Sequence, residues 1–425
     1  MNLINDIDVF EAIFDMIAML NQYTLLALSI YQLVISAFGF LKRKDVPGEK
    51  FAPVNRFALV VAAHNEETVV GNIVRNLNKL KYPRDMYDIF VIADNCEDNT
   101  AAIARKNGAI VYERFDNEKK GKGFALEWMF EKLLKMRPQY DAVCIFDADN
   151  LVSLNFLAEM NKQLSRGYEV VQGYLDSKNP KDSIVAGSYA ITYWMTNRLF
   201  QLARYNLGLS CAVGGTGFAI STKVLKEIGW GATCLTEDLE FSMRLVLKGK
   251  KVYWAHDAVV YDEKPLTLKQ SLRQRKRWMQ GHADCAVRYF KPLLKIAFKK
   301  RSMVAFDAAL YVIQPLIVVI CAIGMLAGVL RYLQLFDPSE LFTTKTLLSA
   351  FLLFASTYGL SAVAFIDGKL SLKAIGYVLL LPFYNLTWVP VIILGFKDRN
   401  KKEWMHTIHT RAMDINDIKD LKGAA

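Results

Sequence analysis

The stretch FDADN (146–150) sets two carboxylates, Asp147 and Asp149, directly after the apolar run Ala142–Phe146. A short apolar run bounded by polar residues reads as a buried strand, so the acids stand at a strand end. Carboxylates paired in this way suit Mg2+ or Mn2+, hard cations that take oxygen ligands and bridge one or two carboxylates to substrate phosphates. The competing reading is a turn capping a helix that begins near Leu151, because Asp and Asn favour both turns and N-caps.

Similar polar turns follow two earlier apolar runs: HNEE (His64–Glu67) after Phe57–Ala63, and DNCEDNT (Asp94–Thr100) after Tyr87–Ala93. Lys122, between Gly121 and Gly123, reads either as a phosphate contact or as part of a solvated basic loop. TED (Thr236–Asp238) precedes a stretch with Leu239, Met243 and Leu247 at helical spacing. Acids in a first helical turn are favoured by the macrodipole. The chemical alternative is a general base, which has to sit within hydrogen-bond reach of its proton. LKQSLRQRKRWMQGH (268–282) then sets Trp278 among Lys and Arg. Arginine grips phosphate through two parallel hydrogen bonds, and tryptophan offers a flat apolar face to a sugar ring or a base.

The elements that must position these groups alternate. Phe57–Ala63, Tyr87–Ala93, Ala109–Tyr112 and the Ala142 run read as strands. Residues 66–80, with Val69, Val70, Ile73 and Leu77 on one face, read as a helix, as do 100–107 and 123–135. This alternation predicts an α/β domain with a mostly parallel sheet covered on both faces. Such sheets bind ligands beyond the carboxyl ends of their strands, where the acid-bearing turns fall. Acid turns recurring at one sheet edge weigh against independent caps. No GxxxxGKS/T occurs, and no GxGxxG follows a strand, so neither a P-loop kinase nor a dinucleotide enzyme is supported.

With 425 residues, 53% of them hydrophobic, the chain has room for more than one domain, and its positive mean hydropathy points to a membrane part. A crossing needs roughly 20 apolar residues, and the stretches 17–41, 308–330, 346–366 and 374–396 have that length. Asp6, Asp8, Glu11 and Asp15 precede the first stretch and no small-residue cleavage site follows it, so it reads as an anchor and not a signal peptide. Lys42–Lys44 after it and Lys299–Arg301 before the second stretch put the middle segment in the cytoplasm by the positive-inside rule. Three C-terminal crossings would leave the basic tail FKDRNKKEWMHTIHTR outside. The stretch interrupted by Pro382 and Pro390, which also holds Asn385, is the one expected to be re-entrant or interfacial.

The net charge of +11, concentrated at membrane edges, fits anionic lipid headgroups better than nucleic acid. Eleven basic residues between Lys269 and Arg301, interleaved with apolar ones, suit a helix lying in the membrane surface. Six cysteines without a CxxC pair predict neither disulfides nor zinc. The expected divisions are an anchor (1–48), a catalytic domain (49–264), basic interfacial helices (265–302), C-terminal transmembrane helices (303–398) and a tail (399–425).

In order and spacing, HNEE, ADNCEDNT, FDADN, GGTGF, TED and QRKRW resemble the membrane-integrated, inverting family 2 glycosyltransferases, the group of cellulose, chitin, hyaluronan and poly-N-acetylglucosamine synthases. The likeness covers residues 55–282 by motif. It implies a GT-A nucleotide-diphospho-sugar domain on the cytoplasmic face of a multi-pass cell-membrane protein. It further implies that Asp94, with His64 and Glu66, binds the nucleotide. Asp147 and Asp149 match a DxD motif, with Asp149 on Mg2+ or Mn2+, and Lys122 and Arg277 are implied at the diphosphate. Asp238 matches the base that deprotonates the acceptor hydroxyl. Gly215, Thr216 and Glu237 are implied beside the acceptor, as are Gln274 and Trp278 of QxxRW. Ala62 stands where the family often has Pro, and Ala93 where many members have Asp. The membrane part is shorter than in cellulose synthases.

The implied function is transfer of a sugar from a UDP-sugar onto a growing β-linked polysaccharide, by one metal-assisted displacement that inverts the anomeric carbon. A non-processive enzyme acting on a membrane lipid is the alternative, and QxxRW favours the polymer. A transporter or nucleotide-sensing scaffold is the reading from another class, and it has no need of a base at Asp238. Expected partners are the UDP-sugar, a glycan or lipid acceptor and membrane lipids, with no nucleic acid. A second copy of the chain or an accessory export subunit is compatible with this reading.

Overall fold

The computed structural model describes residues 19, 23–41, 43, 49–332, 363–367, 375–401 and 411–418. Its strands are β1 (Phe57–Ala63), β2 (Tyr87–Asp94), β3 (Ile110–Arg114), β4 (Ala142–Asp147), β5 (Leu151–Val152), β6 (Val170–Ser177), β7 (Phe218–Ser221) and β8 (Tyr253–Asp262). They form one sheet in the order β3-β2-β1-β4-β7-β6-β8-β5. The pairs β1 with β2, β1 with β4, β2 with β3 and β6 with β8 are parallel; β7 and β5 run antiparallel to their partners.

The helices begin with α1 (Tyr23–Phe40, its last turn 3-10), α2 (Val70–Leu77), α3 (Thr100–Lys106), α4 (Lys122–Leu133) and α5 (Phe156–Ser165). Helix α6 (Ile184–Met195) passes through a π-helical segment, Thr196–Leu202, into α7 (Ala203–Leu207). Then come α8 (Thr222–Ile228), α9 (Glu237–Leu247), α10 (Leu268–Lys299), α11 (Met303–Tyr332), α12 (Val363–Asp367), α13 (Ile375–Leu386) and α14 (Trp388–Lys397).

Side chains alternate between the two sheet faces, as the strand period of two requires. Phe57, Leu59 and Val61 share one face with Ile89, Val91, Cys144 and Phe146, covered by α2, α3 and α5. Ala58 and Val60 share the other with Phe90, Ile92, Val143 and Ile145, covered by α4, α6, α8 and α9. Burial on both faces explains why these strands read as continuous apolar runs.

Two local expectations are corrected. No helix begins near Leu151: Leu151 and Val152 are fully buried and pair with Tyr261 and Val260 of β8, and the helix starts at Phe156. Asp147 and Asp149 therefore do not cap a helix at Leu151. The helix expected over 66–80 runs only Val70–Leu77, because the Glu66 carbonyl accepts from Val69 and Val70 N–H groups and holds HNEE in a turn.

Among the described residues, Tyr23–Phe40, Met303–Gly324 and Gly376–Lys397 are long and apolar enough to cross a membrane. The stretch 346–366 lies mostly outside the described residues. A buried ion pair joins these helices to the α/β unit: Arg204 Nε on α7 lies 2.7 Å from Asp307 Oδ2 on α11, and Tyr31 OH on α1 donates to Asp307 Oδ1 at 3.0 Å. Helix α10 opens with a Thr267/Gln270 capping box. It packs Cys285, Ala286 and Leu293 against α9 and α11, and Met279 against Val391 and Ile392 of α14.

Candidate functional site

The carboxyl ends of β1, β2 and β3 build the first wall. Asn65 and Asn95 sit at φ +53 and +51, a left-handed conformation that asparagine tolerates. Their turns lock together: Glu97 N donates to Asn65 Oδ1 at 2.8 Å, and Glu66 N to Thr100 Oγ1 at 2.8 Å. His64 Nδ1 donates to the Asp94 carbonyl at 2.7 Å. Asp94 is buried, and its carboxylate accepts from Arg114 Nη1 at 2.6 Å. Burial pushes the Asp94 pKa up, and Arg114 opposes that shift. The other Arg114 amine donates to Asp116 Oδ2 and to the Lys119 carbonyl, both at 2.8 Å, which ties the loop before Lys122 to Asp94.

Lys122, the first residue of α4, joins three of the polar stretches. Its ammonium pairs with Asp147 and donates to the Gly215 carbonyl at 2.8 Å. Burial lowers the Lys122 pKa, but Asp147, Glu237 and Asp238 outweigh it and hold the group above its ordinary value. The FDADN turn and the GGTGF loop form one unit. The buried Thr216 hydroxyl bonds Asn150 and accepts from Asp147 N at 3.2 Å. Gly215 has φ +81, and a Cβ there would lie 3.3 Å from Asp238 Oδ2, so the loop backbone approaches the TED acids closely. Asp149 is buried; its Oδ2 accepts from Glu263 N at 2.9 Å and its Oδ1 from Asn150 Nδ2 at 3.2 Å.

Glu237 and Asp238 are half-buried in the first turn of α9. Burial raises both pKa values; the Asp238 charge raises Glu237 further, and Lys122 pulls both back. Gln274 on α10 accepts from Tyr189 OH at 3.0 Å, and the Trp278 ring meets Tyr189 edge-on with centroids 6.2 Å apart. Arg277 lies near enough to Glu237 to favour its charged form.

One cavity of about 1840 Å³ is lined by all of these: His64, Glu66, Asp94, Lys122, Asp147, Asp149, Gly215, Thr216, Glu237, Asp238, Gln274, Arg277 and Trp278. It continues between α1, α11, α13 and α14, past Leu33, Gln314, Ile317, Leu381, Trp388 and Ile392. Among the described residues no group of three or more His, Cys, Asp or Glu is placed to hold a metal by itself. Asp147 and Asp149 fit the other common arrangement, in which one or two carboxylates hold the cation and phosphate oxygens complete its shell.

Residues 53–281 match the family described as glycosyltransferase like family 2. The chain belongs to this family. A probable glycosyltransferase of Bacillus subtilis (strain 168) is 26% identical over 271 residues, covering 61% of this chain and 62% of that protein. The β-monoglucosyldiacylglycerol synthase of Trichormus variabilis is 27% identical over 270 residues, covering 60% of this chain and 56% of its own length. The poly-β-1,6-N-acetyl-D-glucosamine synthase of Staphylococcus epidermidis is 24% identical over 395 residues, covering 88% of this chain and 93% of that one. The match thus spans about six tenths of the first two relatives and nearly all of the third. A solved structure of a mannosyltransferase from Pyrobaculum calidifontis, in complex with GDP-Man and Mn2+, superposes with a TM-score of 0.54 at 15% identity, over 92% of this chain and 99% of that one. The α/β unit is accordingly a GT-A fold.

The chain also lines this cavity with residues that sequence reasoning missed. Asp262, Glu263 and Lys264 close β8. Burial pushes Asp262 up to about 6, and burial lowers Lys264, whose ammonium pairs with Asp262 and lies 3.2 Å from the Tyr193 ring centroid. Their signal was present, since YWAHDAVVYDEK ends an apolar run in acids just as FDADN does. Arg114 carried no such signal. Arg275 turns away from the cavity: it is fully buried, 4.7 Å from the ring centroids of both Tyr384 and Trp388, and donates to Thr387 Oγ1 at 2.9 Å. The basic run is therefore split, with Arg277 at the cavity and Arg275 fastening α13 and α14.

Proposed function

We propose that this glycosyltransferase moves a sugar from a UDP-sugar to a growing β-linked polysaccharide at the cytoplasmic membrane face. The observation that carries the reading is the shared cavity: Asp238, Lys122 and the Asp147/Asp149 turn line it, and it runs on among helices long and apolar enough to cross a membrane. Asp94, held by Arg114, receives the nucleotide, with His64 and Glu66 beside it. Lys122 and Arg277 face the diphosphate, and Asp149, flanked by Asp147, would hold Mg2+ or Mn2+. The bound cation would neutralise charge developing on the departing diphosphate. Asp238 takes the proton of the acceptor hydroxyl; that oxygen forms the new bond to the anomeric carbon as the bond to the diphosphate breaks, and UDP leaves with the electron pair. Lys122 and Arg277 are preorganised cations for the leaving group and need no reorganisation during the step. A single in-line displacement inverts the anomeric carbon, so an α-linked donor yields a β-linkage. Trp278, Gln274, Glu237 and the Gly215–Thr216 backbone then flank the acceptor.

A second reading is favoured by the apolar arm of the cavity, where Leu33, Ile317, Leu381 and Ile392 suit an acyl chain better than a sugar. In it the acceptor is a membrane lipid and one sugar is added. Radiolabelled UDP-glucose, UDP-N-acetylglucosamine and UDP-glucuronate, supplied in turn to membranes holding the protein, separate the two. Polymer that stays in the aqueous phase is expected. A short organic-soluble glycolipid without polymer overturns the synthase reading.

A further inference from the structure

A short tail segment touches both pieces of chain that hold the Asp149 turn. Met413, Ile415 and Ile418 are buried in a cluster of their own with Leu151 and Tyr261. Leu151 follows Asp149 by two residues, and Tyr261 lies just before Glu263, whose backbone N–H holds Asp149 Oδ2 at 2.9 Å. The Arg411 N–H donates to Glu263 Oε2 at 3.3 Å, Lys178 Nζ donates to the Arg411 carbonyl at 3.4 Å, and the Arg411 guanidinium pairs with Asp182. On the other flank Lys79 Nζ lies 3.1 Å from Asp414 Oδ2. Strand β5 has two residues and, among the described residues, only β8 beside it, so its own ladder holds the turn weakly. The tail covers that edge.

We propose that residues 411–418 are a strap that positions the Asp149 turn for its cation, and that the tail lies on the same membrane side as the catalytic unit. The positioning half rests on the metal reading of Asp149; the placement half does not. Residues that pack on one domain cannot reach it from across a bilayer. Helices α13 and α14 also touch the catalytic unit and α10, from Tyr377 OH near the Lys181 carbonyl (3.5 Å) to Asp398, 2.5 Å from Lys276 Nζ.

Two measurements on the full chain test the strap. In membranes, the double variant Lys79→Cys/Asp414→Cys is treated with a short bismaleimide. An intramolecular link absent from either single variant is expected, and failure to form it overturns the placement. In purified protein, Ile415→Asp/Ile418→Asp should weaken Mn2+ binding by about 10–100-fold, the usual cost of losing an outer-shell support of a metal ligand. Binding is read by Mn2+ electron paramagnetic resonance with UDP present, whose phosphate oxygens complete the cation's shell, and the acceptor KM should stay within about twofold because the strap does not reach that wall. Equal Mn2+ affinity in the variant and the parent overturns the positioning role. A parent chain that binds no Mn2+ overturns the metal reading instead, and the cross-link still decides where the tail lies.

Discussion

Lys122 and Asp238 are linked by charge, and that coupling sets how activity responds to pH. On the proposed mechanism the base works only when deprotonated, so activity should rise with pH through the pKa of Asp238, which burial lifts above the ordinary aspartate value. Lys122 stabilises the carboxylate. Lys122→Met removes that stabilisation, raises the pKa further, and should shift the acid limb of the kcat/KM profile to higher pH. A limb that stays in place, or moves down, contradicts the coupling. Asp238→Asn should lower kcat by about 10²–10⁴-fold, the range for losing a general base, with UDP-sugar affinity measured by calorimetry unchanged. Glu66, Asp94, Asp147, Asp149, Glu237 and Asp238 were legible as strand-end or helix-start residues, whereas Asp262 and Glu263 carried the same signal and were missed. Arg114 was not legible, because an arginine closing an exposed-looking strand becomes a buried partner only when β3 is laid beside β2.

Helix α10 is the element that couples the TED turn to the apolar helices α11 and α14. Gly281 sits where a Cβ would come 2.4 Å from Thr236 Oγ1 and 2.7 Å from Thr236 N, just ahead of Glu237 and Asp238. Gly281→Ala should push the TED turn off its position and lower kcat by about 10²-fold, the cost of a misplacement near 1 Å; donor KM should change little. Arg275 serves the opposite face of the helix. Its stacking between two rings and its bond to Thr387 make Arg275→Ala destabilising by about 2 kcal/mol or more, whereas exposed Arg273→Ala should stay within about 0.5 kcal/mol. Thermal unfolding in detergent compares them. Periodicity announced a basic amphipathic helix, yet QRKRW alone does not say which arginine faces the cavity and which faces aromatic rings. That division depends on where α13 and α14 pack.

At the scale of the molecule, the buried Arg204–Asp307 pair clamps the α/β unit to α11, with Tyr31 of α1 as a third member. Removing one partner leaves an uncompensated buried charge, so Asp307→Asn should cost about 3–5 kcal/mol. Arg204→Met/Asp307→Leu should recover most of that loss, because a buried pair is often replaceable by apolar groups of similar volume. Chemical denaturation of the detergent-solubilised protein measures both. A double variant no more stable than Asp307→Asn would mean that the pair also holds the helices in register.

The sequence by itself determined the α/β alternation, the acid turns at the strand ends and the apolar stretches, because these rest on local periodicity and on residue chemistry that neighbours cannot hide. It also determined, through the order of its motifs, the glycosyltransferase family. Only the tertiary structure decided that Leu151 begins an edge strand and not a helix, since its partner Tyr261 lies 110 positions away. Only the fold joined Lys122, Asp147, Gly215 and Asp238 around one cavity, and only the fold brought residues 411–418 back onto the Asp149 turn. Contacts between residues so far apart in the chain leave no periodic trace in it; they exist only once the sheet has set its strand order.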